Sequence, residues 1–413
     1  MSRPAGLDPR TPVVVAAGRT PIGSAGHALA DVPAHDLAAP VLAELAARVA
    51  AMGVDNASGD APAVGHVVLG NCLGPGGNIA RVAALAAGLD EHIPAVTLDR
   101  QCGSGQEAVH AGAAMIALGQ ADLVLAGGVE SASTAPWRIA RPPRPAPRTW
   151  RDVRADPPEP YDRAPFAPPG MADPDMGPAA QDVADRFGID RARQDAYAAR
   201  SHERTLVHAK EVAAEIVSVR GIAADERPRR LQERVLARLP GAFAPGGSVT
   251  AGNSCGISDG AAAVAIVPES VRARLGVPGL AILGWEAGAG DPALPGIAPV
   301  AVVRALIDRL DEPLQAVAAF EITEAFAAQV LACTDALGLD PFGADAGRVC
   351  AWGGAIALGH PWGASGALLV VRLFSRLVTA SAPPVDAGAA YGLATCAIGG
   401  GQALALLARR VGP

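Results

Sequence analysis

AVTLDRQCGSGQEAVHAGAAMIALGQADLVLAGG, residues 95–128, decides the fold class. It opens on a short apolar run, AVTLD (95–99), turns through the glycines of QCGSG (101–105), continues as QEAVHAGAAMIALGQ (106–120) and closes on DLVLAGG (122–128). Apolar runs of about four to eight residues between turn signals read as buried strands, and the longer Ala-rich segment reads as a helix. Strand, helix and strand in succession are the unit of a layered α/β core with helices on both faces.

The same alternation extends outward. TPVVVAAG (11–18) and GHVVLG (65–70) read as strands, and LAAPVLAELAARVAAM (37–52) and ARVAALAAGL (80–89) as helices. The pattern breaks after Glu130. Residues 138–175 carry Arg138, Arg141, Arg144, Arg148, Arg151 and Arg154 among many prolines, with little periodicity. This is an excursion from the core, and its arginines read as a solvated surface loop. Helical signal returns over 178–217, and GAAAVAIVP (260–268) reads as a strand rejoining the first core. From Leu280 the alternation restarts with LAILGWEAG, PVAVVRALIDRL, AVAAFEITEAFAAQVLACTDAL and GHPWGASGALLVV. In each half a Gly-rich turn opens a helix (QCGSGQEAV; GHPWGASGALLV) and a strand then ends in glycines (LAGG; AIGGG). Two similar halves with their chemistry at matching turns are expected.

Composition removes several classes of function. The 413 residues are half hydrophobic, enough for a large core and more than one domain. A net charge of −7 gives no reason to expect nucleic acid as a partner. No apolar run reaches the roughly 18 residues of a membrane helix, so no membrane partner is expected. With neither an apolar signal core nor a sorting motif, a cytoplasmic location is expected, with the six cysteines reduced. The one lysine, Lys210, lies in no phosphate-binding loop, and the eight histidines show no ligand spacing, so no metal is expected.

Two residues stand where chemistry is easiest. Cys102 sits between a strand and a helix start, where the helix dipole and free N–H groups favour the reactive thiolate. A free cysteine at a tight turn is most often merely buried, but flanking glycines leave room here for a substrate carbonyl. His360, in GGAIALGHPWGASGALLV, lies at the equivalent turn of the second half. A Cys and a His at one end of a sheet would be a nucleophile and its activating base.

QCGSG, AGGVES, VTAGNSCGISDGAAA, ITEAFAAQ, GGAIALGHPWGASGA and GLATCAIGGG together resemble the thiolase family of acyl-CoA C-acyltransferases, from GRTPIGSAG (18–26) onward. The resemblance implies an α/β fold of two similar five-layered (αβαβα) halves with an inserted loop domain that holds coenzyme A. The halves are expected at 1–130 plus 250–278 and at 279–413, with the loop domain at 131–249. It implies that Cys102 forms the acyl thioester and that His360 activates it. It implies substrate contacts at Met176 and Phe326, an oxyanion site at Thr323 and Gly399, and coenzyme A contacts at Arg229 and Cys255. The partner is then acyl-CoA, with coenzyme A as substrate or product and no further cofactor. A homodimer or homotetramer, working in lipid metabolism, completes the expectation.

The chain also departs from the family pattern. Thr323 replaces the usual Asn or His, Asp175 the usual His before Met-Gly, and Cys255 a usual Ser. The family's second catalytic cysteine stands two residues before the glycine triplet, where this chain has Ala397; Cys396 is one residue early. A one-residue shift in a strand turns a side chain to the other face. Either a bulge returns Cys396 to the site, or the usual α-proton base is missing. Three readings follow: carbon–carbon bond formation or cleavage at acyl-CoA, acyl transfer to a different acceptor, or a non-catalytic acyl-CoA-binding subunit.

Overall fold

The computed structural model describes residues 6–54, 61–140, 160–161, 163–380 and 390–413. The principal strands are β1 (Pro12–Arg19), β2 (His66–Gly70), β3 (Ala95–Leu98), β4 (Val124–Ser131), β5 (Ser258–Pro268), β6 (Gly279–Ala289), β7 (Val317–Ile322), β8 (Tyr391–Ile398) and β9 (Gln402–Val411). The principal helices are α1 (Ala34–Val54), α2 (Ile79–Ala86), α3 (Ser104–Ala117), α4 (Met176–Phe187), α5 (Arg191–Val207), α6 (Ala298–Leu310), α7 (Ala327–Leu337) and α8 (Trp362–Phe374).

The strands lie in the order β7-β8-β9-β6-β1-β5-β4-β2-β3. Reading outward from the β1–β6 junction gives the same pattern in both directions. β1, β5 and β4 are antiparallel neighbours, and β2 then runs parallel to β4. β6, β9 and β8 repeat this, and β7 runs parallel to β8. Beyond β7, Val349 pairs in parallel with Phe320, in the place that β3 takes in the first half. The repeat of Gly-rich turns in the sequence is thus a repeat of topology.

Three apolar clusters define the layers. Leu37, Val41, Leu42 and Leu45 of α1 cover one face of the first half. Val302, Val303 and Leu306 of α6, with Val330 and Leu331 of α7, cover the outer face of the second. Between the halves, Val109, Ala113 and Ile116 of α3 join Ala367, Val370 and Val371 of α8 in a cluster that takes residues from both sheet halves. Helices therefore form outer, central and outer layers around two sheet layers. Strands buried on both faces need uninterrupted apolar sequence, as VVVAAG of β1 has.

The helical stretch expected over 178–217 is broken. Gly188 ends α4 in the left-handed conformation (φ 66°), and the Asp190 side chain caps α5 by accepting from the Arg193 N–H at 2.8 Å. After Val207 only the short helix Ala209–Ala213 follows. In the Arg-Pro excursion, Arg138–Ile139 pairs with Pro160–Tyr161. Arg141, Arg144, Arg148, Arg151 and Arg154 lie outside the described residues.

A buried ion network ties both halves to the segment that follows helix α5. Glu215 accepts from Arg19 Nε of β1 and from Arg372 Nε of α8, each at 2.7 Å. Asp225 accepts from both terminal nitrogens of Arg19 at 2.7 and 2.8 Å. Removing one member strands a buried charge, at a typical cost of about 3–5 kcal/mol. Glu215→Ala is expected to destabilise the protein on that scale in urea unfolding. A loss below about 1 kcal/mol would show that the network is not holding the halves together.

Candidate active site

The Cys102 turn is built by its neighbours. Asp99 Oδ1 accepts from the Gln101 N–H at 2.9 Å, Ser104 Oγ donates to the Gln101 carbonyl at 2.7 Å, and the Cys72 thiol donates to the same carbonyl at 3.0 Å. Gln101 is held at φ 47°, a region that non-glycine residues rarely adopt, one residue before the candidate nucleophile. Gly103 packs its Cα against Ile398 and Leu404 of the β8–β9 hairpin, leaving no room for a side chain.

The thiol is not preset as a thiolate. Burial pushes Cys102 up to about 12, with the carboxylates of Glu130 and Asp99 adding to the effect. The sequence favoured a thiolate at the helix start; desolvation overrides that dipole, so the thiol would need a base to lose its proton.

His360 has the character of such a base. It follows Gly359 (φ 116°), and its N–H donates to the Gly256 carbonyl at 2.9 Å. Its Nδ1 lies 2.6 Å from Ser365 Oγ, which is also 3.0 Å from the Pro361 carbonyl. With the Ser365 hydroxyl donating to Pro361, Nδ1–H donates to Oγ and Nε2 keeps its lone pair. Nε2 is buried and has no protein partner. Burial holds the imidazole down at about 4, hence neutral and able to accept a proton at physiological pH. His360 must remain neutral to serve as a base, so acylation is expected to show no inflexion at the ordinary histidine value of about 6.5. Its His360-dependent decline should come only as pH approaches about 4. Single-turnover acylation from about pH 4 to 8 tests this, and a break near 6.5 that disappears in His360→Asn would contradict it.

Backbone approach joins the two turns. A Cβ on Gly105 would meet the Gly363 carbonyl at 2.8 Å, so the first turns of α3 and α8 touch through glycine. Glu130 holds the same place, accepting from Gly363 N at 3.1 Å, Cys72 N at 3.1 Å and Asn71 Nδ2 at 2.9 Å. Burial raises its carboxyl to about 6. The AGGVES motif supplied Glu130 without revealing this positioning role.

The other expected site residues fall around these turns. Thr323 donates its N–H to the Thr395 carbonyl at 3.1 Å, and its hydroxyl is buried without a partner, as is Nε2 of His360. Next to it Glu324, which the sequence reading missed, is buried and accepts from Tyr197 at 2.9 Å and Ser201 at 2.6 Å. It thereby fastens α5 to the end of β7. Phe326 precedes α7 and meets Phe243 edge-on, with centroids 5.9 Å apart. Met176 is the first residue of α4, and Asp175 before it accepts from Arg163 Nε at 2.7 Å. Cys255 donates its N–H to the Ala325 carbonyl at 2.9 Å, and burial pushes its thiol up to about 12. Arg229 is exposed, whereas the Arg227 guanidinium lies over Gly256 beside Cys255. DERPRR offered several arginines, and spacing alone could not tell which one turns inward.

The hairpin answers the bulge question. β8 and β9 pair without a break from Tyr391↔Arg409 to Ile398↔Gln402, with Cys396 opposite Leu404 and Ala397 opposite Ala403. Cys396 therefore faces the central helices with Ala394 and Ile398 and is fully covered, while Ala397 points the other way and is half-exposed. The Cys396 sulfur lies within electrostatic reach of Cys102, and burial pushes its thiol well above the usual range. Gly399 begins the turn, followed by Gly400 and Gly401 at φ 78° and 79°. Among the described residues no group of three or more His, Cys, Asp or Glu is arranged to hold a metal, and no helix is long and apolar enough to cross a membrane.

The chain is similar to known proteins over nearly its whole length. Residues 12–270 match the thiolase N-terminal domain and residues 277–410 the thiolase C-terminal domain. An acetyl-CoA acetyltransferase of Pseudomonas aeruginosa is 38% identical over 417 residues, covering 96% of this chain and 99% of that protein. The crystal structure of the Bacillus anthracis acetyl-CoA acetyltransferase superposes with a TM-score of 0.80 at 31% identity, covering 97% of this chain and 99% of that one.

Proposed function

The chain belongs to the thiolase family and is an acyltransferase of thiolase type, and we propose that it works on acyl-CoA through a Cys102 thioester. The observation that carries this is the pairing of turns: the Cys102 turn at the start of α3 touches the His360 turn at the start of α8 through Gly105 and Gly363, and His360 Nε2 is buried without a protein partner. His360 Nε2 takes the thiol proton as Sγ attacks the thioester carbonyl. The C–S bond to coenzyme A then breaks, and the leaving thiolate takes that proton back. Backbone N–H groups at the Cys102 turn and at Gly399 are the donors for the oxyanion. Acetyl-CoA alone should therefore release a burst of free coenzyme A, about one per active site, before any acceptor is added. No burst at any acyl chain length would contradict the proposal.

A second reading concerns the acceptor. Condensation needs an α-proton removed, and an alanine methyl at 397 accepts none. Cys396 is turned into the core and fully covered. This favours transfer to an acceptor that carries its own nucleophilic heteroatom. Acetyl-CoA self-condensation is then expected to be poor although Cys102 acylates. The double change Cys396→Leu, Ala397→Cys should raise condensation by about 10²-fold, the scale of a positioned base. If Cys396→Ala abolishes condensation and spares acylation, the protein condenses through Cys396 and the second reading is wrong.

A further inference from the structure

The excursion places one aromatic ring against the glycine turn of the hairpin. A Cβ built on Gly399 would lie 2.9 Å from the Phe166 ring, and one on Gly400 would lie 2.9 Å from the Phe166 carbonyl. Phe166 is held there by a clamp. Arg163 stacks over the ring with its guanidinium carbon 4.2 Å from the centroid. That guanidinium donates to Asp175 Oδ1 at 2.7 Å, to Asp173 Oδ1 at 3.0 Å and to the Asp173 carbonyl at 2.9 Å. Asp173 Oδ1 also accepts from the Phe166 N–H at 3.1 Å, closing the loop on itself. Asp175 is one of the positions at which this chain departs from its family, and here its carboxylate serves the clamp.

We infer that Phe166 is a specificity-determining residue: its clamped ring walls the acyl pocket beside Gly399 and selects short, acetyl-sized acyl groups over long ones. The inference rests on the reading of Cys102 as the acyl carrier and Gly399 as part of its pocket. Gly399 follows Ile398, whose side chain packs on Gly103, the residue after Cys102. The ring and the nucleophile thus lie on either side of one turn. A long acyl chain leaving Cys102 along the glycines would meet an aromatic ring whose movement the stacked Arg163 restricts. A hydrophobic wall of this kind discriminates by size, with typical ratios of about 10 to 200 for small changes in fit. The ion pairs are partly exposed and individually weak, so their part is to restrict the loop.

The test compares single-turnover acylation of Cys102 by acetyl-CoA and by octanoyl-CoA, read as adducts on the Cys102 peptide. The wild type should prefer acetyl-CoA. Phe166→Ala should raise the octanoyl-to-acetyl rate ratio by about tenfold or more. Phe166→Leu, which keeps an apolar cover should the Ala variant loosen the loop, should raise it less. Arg163→Gln, with the ring intact but unclamped, should move it in the same direction. A ratio that stays within about twofold of wild type in both Phe166 variants, while Cys102 still acetylates, overturns the inference and leaves the Cys102 reading standing. A wild type that takes octanoyl-CoA as fast as acetyl-CoA overturns it as well. Absence of any Cys102 adduct in the wild type overturns the Cys102 reading, and this inference with it.

Discussion

Cys102→Ala is expected to lower acyl transfer by about 10⁶-fold, the scale on which an enzyme loses its covalent nucleophile. The expectation comes from the construction of the turn. Gln101 is held at a positive φ by bonds that its carbonyl accepts from Ser104 and Cys72 and that its N–H donates to Asp99, which fixes the direction of the next side chain. Cys72, Cys255 and Cys396 also lie near, but each is a poor substitute. The Cys72 thiol is engaged with the Gln101 carbonyl, the Cys396 side chain is covered, and burial raises all three thiols. Turnover of Cys102→Ala within about tenfold of wild type would mean that one of these neighbours carries the acyl group.

His360→Ala is expected to slow acylation by about 10²-fold or more. The reason is electrostatic. A thiol pushed up to about 12 offers almost no thiolate at neutral pH, so the rate depends on a group that takes the proton during attack. No lysine is available nearby, since Lys210 is exposed on the helix Ala209–Ala213. His360→Gln keeps a polar group of similar reach but accepts no proton, and should be nearly as slow. Acylation at the wild-type rate in both variants would show that Cys102 draws its reactivity from another group.

Much of the fold was legible because apolar runs, glycine turns and Ala-rich segments alternate without ambiguity in both halves. β1 through β4 and α1 through α3 fall on the segments that their patterns marked. The break at Gly188 was missed because the helical pattern on either side is strong and one left-handed residue leaves little trace in it. The buried network was invisible for another reason. Arg19 and Glu215 are 196 residues apart, and nothing local marks either as buried. The positions of Cys102 and His360 could be read from their turns, but the protonation of Cys102 could not, because burial outweighs the helix start. Cys396 and Ala397 posed a clear question of register that only the pairing of β8 with β9 could answer. Phe166 carried no signal at all, lying in a stretch without periodicity whose contacts reach across to residue 399.

The most direct measurement is peptide mapping by mass spectrometry after brief exposure of the wild-type protein to acetyl-CoA and quenching in acid. One acetyl group should be found on the peptide containing Cys102, labile to hydroxylamine as a thioester is, and absent from peptides containing Cys72, Cys255 and Cys396. An acetyl group on any other residue, or full turnover with no acetyl group on Cys102, would contradict the account.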